Sequence, residues 1–155
     1  MTTFKDINGK NWEIRITLGS CKRIKDTIGF DMLHPEALQG EEGIGLLERL
    51  ANDSFFDLKL IIALCSKSIQ DNGYGDYTEE QLLDLFEGQT YQNACTAFYD
   101  EYQAFFQTIG KGQLALYVKK VLEILNYQLE LVASRINAID TKEIVDSVNQ
   151  QSAET

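Results

Sequence analysis

A single proline, a single histidine and three cysteines are all that 155 residues offer of the residue types that usually mark a metal site or a disulfide framework. Cys21, Cys65 and Cys95 are odd in number and no two form a CxxC pair, while His34 stands alone before Pro35. That excludes a zinc ligand set and a disulfide scaffold, and it predicts reduced thiols among apolar neighbours. No apolar run approaches the roughly 18 residues that span a bilayer, and Met1 to Lys10 lacks the basic-then-apolar order of a secretory signal. The expectation is a cytoplasmic protein that needs neither membrane nor cofactor. Nucleophile–base pairs, phosphate loops and metal clusters are missing too, so the residues themselves define no enzyme.

What is present is ordinary globular composition, 44% hydrophobic and 25% charged, with a net charge of −10. The charge is uneven. Residues 1–30 hold six Lys/Arg against three Asp/Glu, residues 31–110 three against fifteen, and residues 111–155 five against six. An acidic middle of this kind repels phosphate backbones, so nucleic acid is excluded as a general partner, whereas a basic protein surface is attracted.

Periodicity predicts an α+β, predominantly α-helical fold: an N-terminal β-hairpin packed on a helical bundle, with a long C-terminal amphipathic helix. Asn8-Gly9 suits a type I′ turn between two strands. In the second strand Trp12, Ile14, Ile16 and Leu18 alternate with Glu13, Arg15 and Thr17, giving one buried face and one wet face. A short basic helix then closes on Gly29, and a loop with Pro35, Gly40, Gly43 and Gly45 follows. Leu46, Leu47 and Leu50 form a brief helix. Asp53 or Ser54 caps another, carrying Phe55, Leu58, Ile61, Ile62, Cys65 and Ile69. Asp71 to Glu79 resembles a calcium loop only superficially, because Ser68 and Gln70 fall where the leading carboxylates belong. The segment reads as a turn before a capping box, Thr78-Glu79-Glu80-Gln81. Thr90 is placed to cap a helix with an aromatic stripe through Phe98, Tyr102, Phe105 and Phe106, expected to pack on the Trp12 face.

The longest pattern is last. Val118, Leu122, Leu125, Leu129, Val132, Ile136 and Ile139 step alternately by four and three, a heptad seam that turns one stripe of a helix toward a partner, either the body of the same molecule or a second copy. The organisation expected is a hairpin and helical body over 1–112, a long amphipathic helix over 113–140, and a polar, frayed C-terminal segment over 141–155. Val118, Leu122, Leu125, Leu129, Val132 and Ile136 are the candidate partner-binding residues.

In layout the chain resembles the tail assembly chaperones of long-tailed phages and prophages. The resemblance covers about the first 110 residues and is carried by Asn8-Gly9-Lys10-Asn11-Trp12, Gly29-Phe30-Asp31, Leu46-Leu47-Glu48-Arg49-Leu50 before Asn52-Asp53, Ala63-Leu64-Cys65, Thr78-Glu79-Glu80, and Ala94 to Phe106. It implies a non-enzymatic protein that binds the tape measure protein during tail assembly and is absent from the finished tail. The alternative is a structural or completion subunit of a phage particle, with the seam making a homo-oligomer.

Overall fold

The hairpin is fastened to the rest of the chain through its inward face. In a computed structural model that describes residues 1–36 and 45–153, β1 (Thr2–Lys5) pairs antiparallel with β2 (Asn11–Ile14), Phe4 opposite Trp12. Trp12 and Ile14 are fully buried and Ile16 nearly so, as the alternation predicts. Leu18 is not. It is 60% exposed, because the strand has ended and Thr17 caps a helix there, its hydroxyl accepting from the Ser20 amide while the Ser20 hydroxyl accepts from the Thr17 amide.

The turn also differs from the type I′ expectation. Among the described residues only glycines have positive φ, Gly9 at 79°, so Asn8 does not adopt the conformation that turn needs. Instead the Gly9 amide donates to the Asp6 carbonyl and the Asp6 amide to the Lys10 carbonyl, each at 3.0 Å. This is a three-residue loop with glycine in the left-handed position. The Asp6 carboxylate selects it by accepting from the amides of Asn8 and Lys10 and from Trp12 Nε1 at 3.0 Å.

Among the described residues six helices precede the long one: α1 (Leu18–Ile28), α2 (Leu46–Asn52), α3 (Phe56–Leu64), α4 (Ser66–Asp71), α5 (Glu79–Asp84) and α6 (Gln89–Thr108). Gly29 ends α1 at φ 78° as expected, and Thr78 with Gln81 forms the capping box of α5. The single helix predicted over residues 55–70 is split at Cys65. Arg23 of α1 explains part of the break, since its guanidinium takes the Ala63 carbonyl at 2.9 Å and so satisfies a group that a continuous helix would have used. Thr90 is a buried residue within α6 rather than its cap, which falls to Gly88.

The Trp12 ring meets different neighbours from those expected. It packs edge-on to Phe86 at 5.1 Å, tilted against Tyr74 at 6.1 Å and beside Phe4 at 5.8 Å. The α6 aromatics stack along their own helix instead, Phe98 with Tyr102 and Tyr102 with Phe106. What α6 offers the hairpin is small: Ala94 and Ala97 are buried, and Thr2 donates to the Ala97 carbonyl at 2.7 Å. Missing side-chain bulk lets helix and strand approach closely. The segment once weighed as a calcium loop closes the hairpin from the other side. Asn72 donates to the Asn11 carbonyl, and Asn8 donates to the Tyr74 hydroxyl.

The chain folds as two units, Met1–Leu122 and Glu123–Thr155, so the boundary lies inside α7 (Gly112–Asn137) rather than near residue 112. The first unit keeps the opening of α7 and buries Ala115, Val118 and Val121. The second holds the rest of α7 and α8 (Thr141–Ala153). Asp140 starts α8 by accepting from the amides of Lys142 and Glu143, and the helix runs through the stretch expected to fray from Asn149. The glycine-rich loop around Gly40 and Gly43 lies outside the described residues.

Candidate partner-binding surface

The six seam residues do not share one environment. Val118 is completely buried in the first unit, so it belongs to the protein's own core and offers nothing to a partner. Leu122 and Leu125 are half-buried. Leu129, Val132 and Ile136 are 68%, 49% and 60% exposed, and Ile139 is 52% exposed. The stripe therefore changes character along its length, from core to surface.

Exposed apolar residues also occur off the seam. Tyr127 and Leu131 stand on the side of α7 away from the stripe, and α8 shows Ile144, Val145 and Val148, all of them half-exposed or more except Leu131 at 38%. The α8 residues were legible as an i, i+1, i+4 cluster. They were passed over because the polar run beyond Asn149 dominates the segment. Val121, by contrast, is a core residue that the four-three step skipped. Leu114, Ala115, Val118, Val121 and Leu122 make the wider stripe of a helix packed on a body, which a strict heptad seam does not describe.

Few charges flank the exposed part of the stripe. Its α7 flanks there carry Asn126, Gln128, Ala133 and Arg135, while Lys119, Lys120 and Glu123 surround its opening. The acidic residues of the middle segment sit elsewhere, with Glu79, Glu80, Asp84 and Glu87 exposed on and just beyond α5.

The other concentration of titratable groups is internal. Asp57, at the start of α3, is buried with Oδ2 at 3.4 Å from both the Tyr91 hydroxyl and Cys95 Sγ. Burial pushes the Asp57 carboxyl above its ordinary range, only partly offset by its hydrogen bonds. Burial likewise raises the Cys21 thiol to about 11 and drives those of Cys65 and Cys95 upward, so none is a ready nucleophile. All three thiols are free, as expected. Sequence pattern gave no sign of Asp57, because an acid in a helix's first turn reads as a solvated partner of the dipole.

Among the described residues no helix is long and apolar enough to cross a membrane. Comparison of the chain with protein-family models, with curated proteins and with solved structures gave no match.

Proposed function

We propose that the protein is a non-enzymatic tail assembly chaperone acting in the cytoplasm, which holds the tape measure protein while a phage tail is built. The exposed stripe Leu129, Val132 and Ile136 carries this reading. Three large apolar side chains at helical spacing, left open over several turns, are a surface for another helix. A tape measure protein is long and helical, and before assembly its own apolar helix faces need covering. The net charge of −10 keeps such a complex apart from nucleic acid.

Leu129→Asp with Ile136→Asp tests the reading directly. Both side chains are exposed, so the body remains folded, and Trp12 fluorescence reports that. Co-expressed tape measure fragments are expected to come down with the wild-type protein and to be lost with the variant. If the variant still keeps the fragments in solution, the stripe is not the binding surface, and the acidic face around Glu80 and Asp84 takes its place.

A further inference from the structure

We propose that the outer edge of β1 takes up an extended segment of another protein as a third strand of the hairpin sheet, with a basic side chain of that segment set against Asp100. Backbone direction, the groove beside the edge and its charge lead there.

In an antiparallel ladder every second residue turns its N–H and C=O away from the neighbouring strand. The Asp6 amide donates to the Lys10 carbonyl, so with Phe4 opposite Trp12 the residues whose backbone faces outward are Thr3 and Lys5 on β1 and Asn11 and Glu13 on β2. The two edges are finished differently. On β2 the Glu13 amide donates to Ser68 Oγ at 2.8 Å and the Asn11 carbonyl accepts from Asn72 Nδ2 at 2.6 Å, so α4 and the residue after it close that edge. On β1 the amides and carbonyls of Thr3 and Lys5 have no partner among the described residues, and both residues are exposed. Donors and acceptors alternating at strand spacing are complementary to another extended backbone.

The space beside the edge fits one strand. A groove of about 510 Å³ runs along residues 1–4 and is lined on its other side by Asn93, Thr96, Ala97 and Asp100 of α6. Thr2 donates to the Ala97 carbonyl and Phe4 is buried, which sets α6 beneath the inward face of β1 and lets it reach past the edge as a shelf. A second copy is ill suited to that shelf, because its own β1 is underlain by its own α6 and the two helices would compete for one space. A free extended segment carries no such helix.

The shelf selects the sequence. In a segment running antiparallel to β1, the residues opposite Lys5 and Thr3 bond the edge and turn their side chains to solvent, while those opposite Phe4 and Thr2 turn toward α6. Asp100 stands one helical turn beyond Ala97, the residue that Thr2 meets. It is exposed, and among the described residues no ion pair engages it. A Lys or Arg opposite Thr2 supplies that partner, and a small apolar residue opposite Phe4 rests on Ala97.

Fluorescence anisotropy with the labelled peptide Ser-Thr-Val-Thr-Arg-Ser, titrated with the purified full-length chain, is the test. Saturable binding is expected below about 1 mM. N-methylation of both peptide Thr residues, whose amides face the edge, abolishes it, whereas N-methylation of Val and Arg, whose amides face solvent, leaves it. Asp100→Lys, at an exposed position, is expected to weaken the Arg peptide about tenfold and to favour a twin with Glu in place of Arg. Thr3→Pro removes an edge donor that the β1–β2 ladder does not use, so Trp12 fluorescence is unchanged while binding is lost. Absence of saturable binding up to about 1 mM, or equal binding of the peptide methylated on Thr, overturns the inference. So does a wild-type sedimentation mass of twice 17.6 kDa that Thr3→Pro returns to the single-chain value, for the edge then belongs to a second copy. Leu129→Asp with Ile136→Asp leaves peptide binding intact, which tells failure of this site apart from failure of tape measure capture.

Discussion

Removing the Trp12 side chain tests the centre of the body. The residue is fully buried among Phe4, Tyr74 and Phe86, and its indole donates to the buried Asp6 carboxylate. Truncating a buried tryptophan to alanine costs about 3–5 kcal/mol. A lost hydrogen bond to a charged group costs about 1.5–3 kcal/mol on its own, which places Trp12→Ala at the upper end, near 5 kcal/mol. Since small domains are stable by about 5–15 kcal/mol, the variant stands close to unfolding. Trp12→Phe separates the two contributions by keeping an aromatic ring against Phe86 and removing only the donor, at about 2 kcal/mol. A pH signature accompanies it. Burial tends to raise the Asp6 carboxyl, but the hydrogen bonds from Trp12, Lys10 and Asn8 outweigh this and hold it below the ordinary aspartate value. A carboxyl depressed on folding contributes stability above its unfolded pKa, and the contribution is lost as pH falls through the folded value. The gap between wild type and Trp12→Phe is therefore full at neutral pH and narrows in acid. Urea denaturation followed by circular dichroism and tyrosine fluorescence measures both. A cost below about 1 kcal/mol for Trp12→Ala refutes the packing argument.

Two further substitutions probe the fold's other local commitments. The carboxyl of Asp57 is raised on folding, chiefly by burial, so its contribution has the opposite sign: full below the unfolded pKa and lost as pH climbs through the folded value. Asp57→Asn is expected to raise the melting temperature at pH 8 and to give little or nothing at pH 4, and an equal loss at both values would show that the charge is tolerated. At Gly29 a Cβ would meet nothing within 4 Å, so Gly29→Ala costs only the left-handed backbone at φ 78°, about 1–2 kcal/mol. Gly29→Asn, which tolerates that conformation, is expected to recover part of the loss in the same thermal melts.

Much of the architecture follows from local chemistry that can be read one residue at a time. The alternation through Ile16, the glycine at 29 and the capping box at Thr78 each act within four or five residues, and each appears where its pattern places it. The misreadings share a different origin. Asp6 reshapes the hairpin turn through three hydrogen bonds, one of them to a ring six residues away. Arg23 reaches 40 residues to the Ala63 carbonyl. Trp12 finds Phe86 rather than the stripe on α6, because α6 presents alanines where it meets β1. The candidate surface was legible as a repeat, but periodicity specifies which residues share a face and not what covers it. Hence Val118 and Leu129 belong to one pattern, and one is core while the other is surface.

The hydrogen bonds that hold the hairpin and α1 in place join residues far apart in the chain: Thr2 to Ala97, the Ile16 amide to Glu101, and the Met32 carbonyl to Tyr102, separated by 95, 85 and 70 positions. During synthesis the first thirty residues therefore wait, unsatisfied, until α6 has left the ribosome. Closing loops of this length precedes the contacts that reward it, which makes the last step of folding slow. The helices α7 and α8 close their own i to i+4 bonds within about a microsecond, but the opening of α7 also supplies Ala115, Val118 and Val121 to the body's core. The slow closing step therefore waits for α7 as well as α6, and the apolar stripe that continues along α7 is formed, and open, before the body is finished.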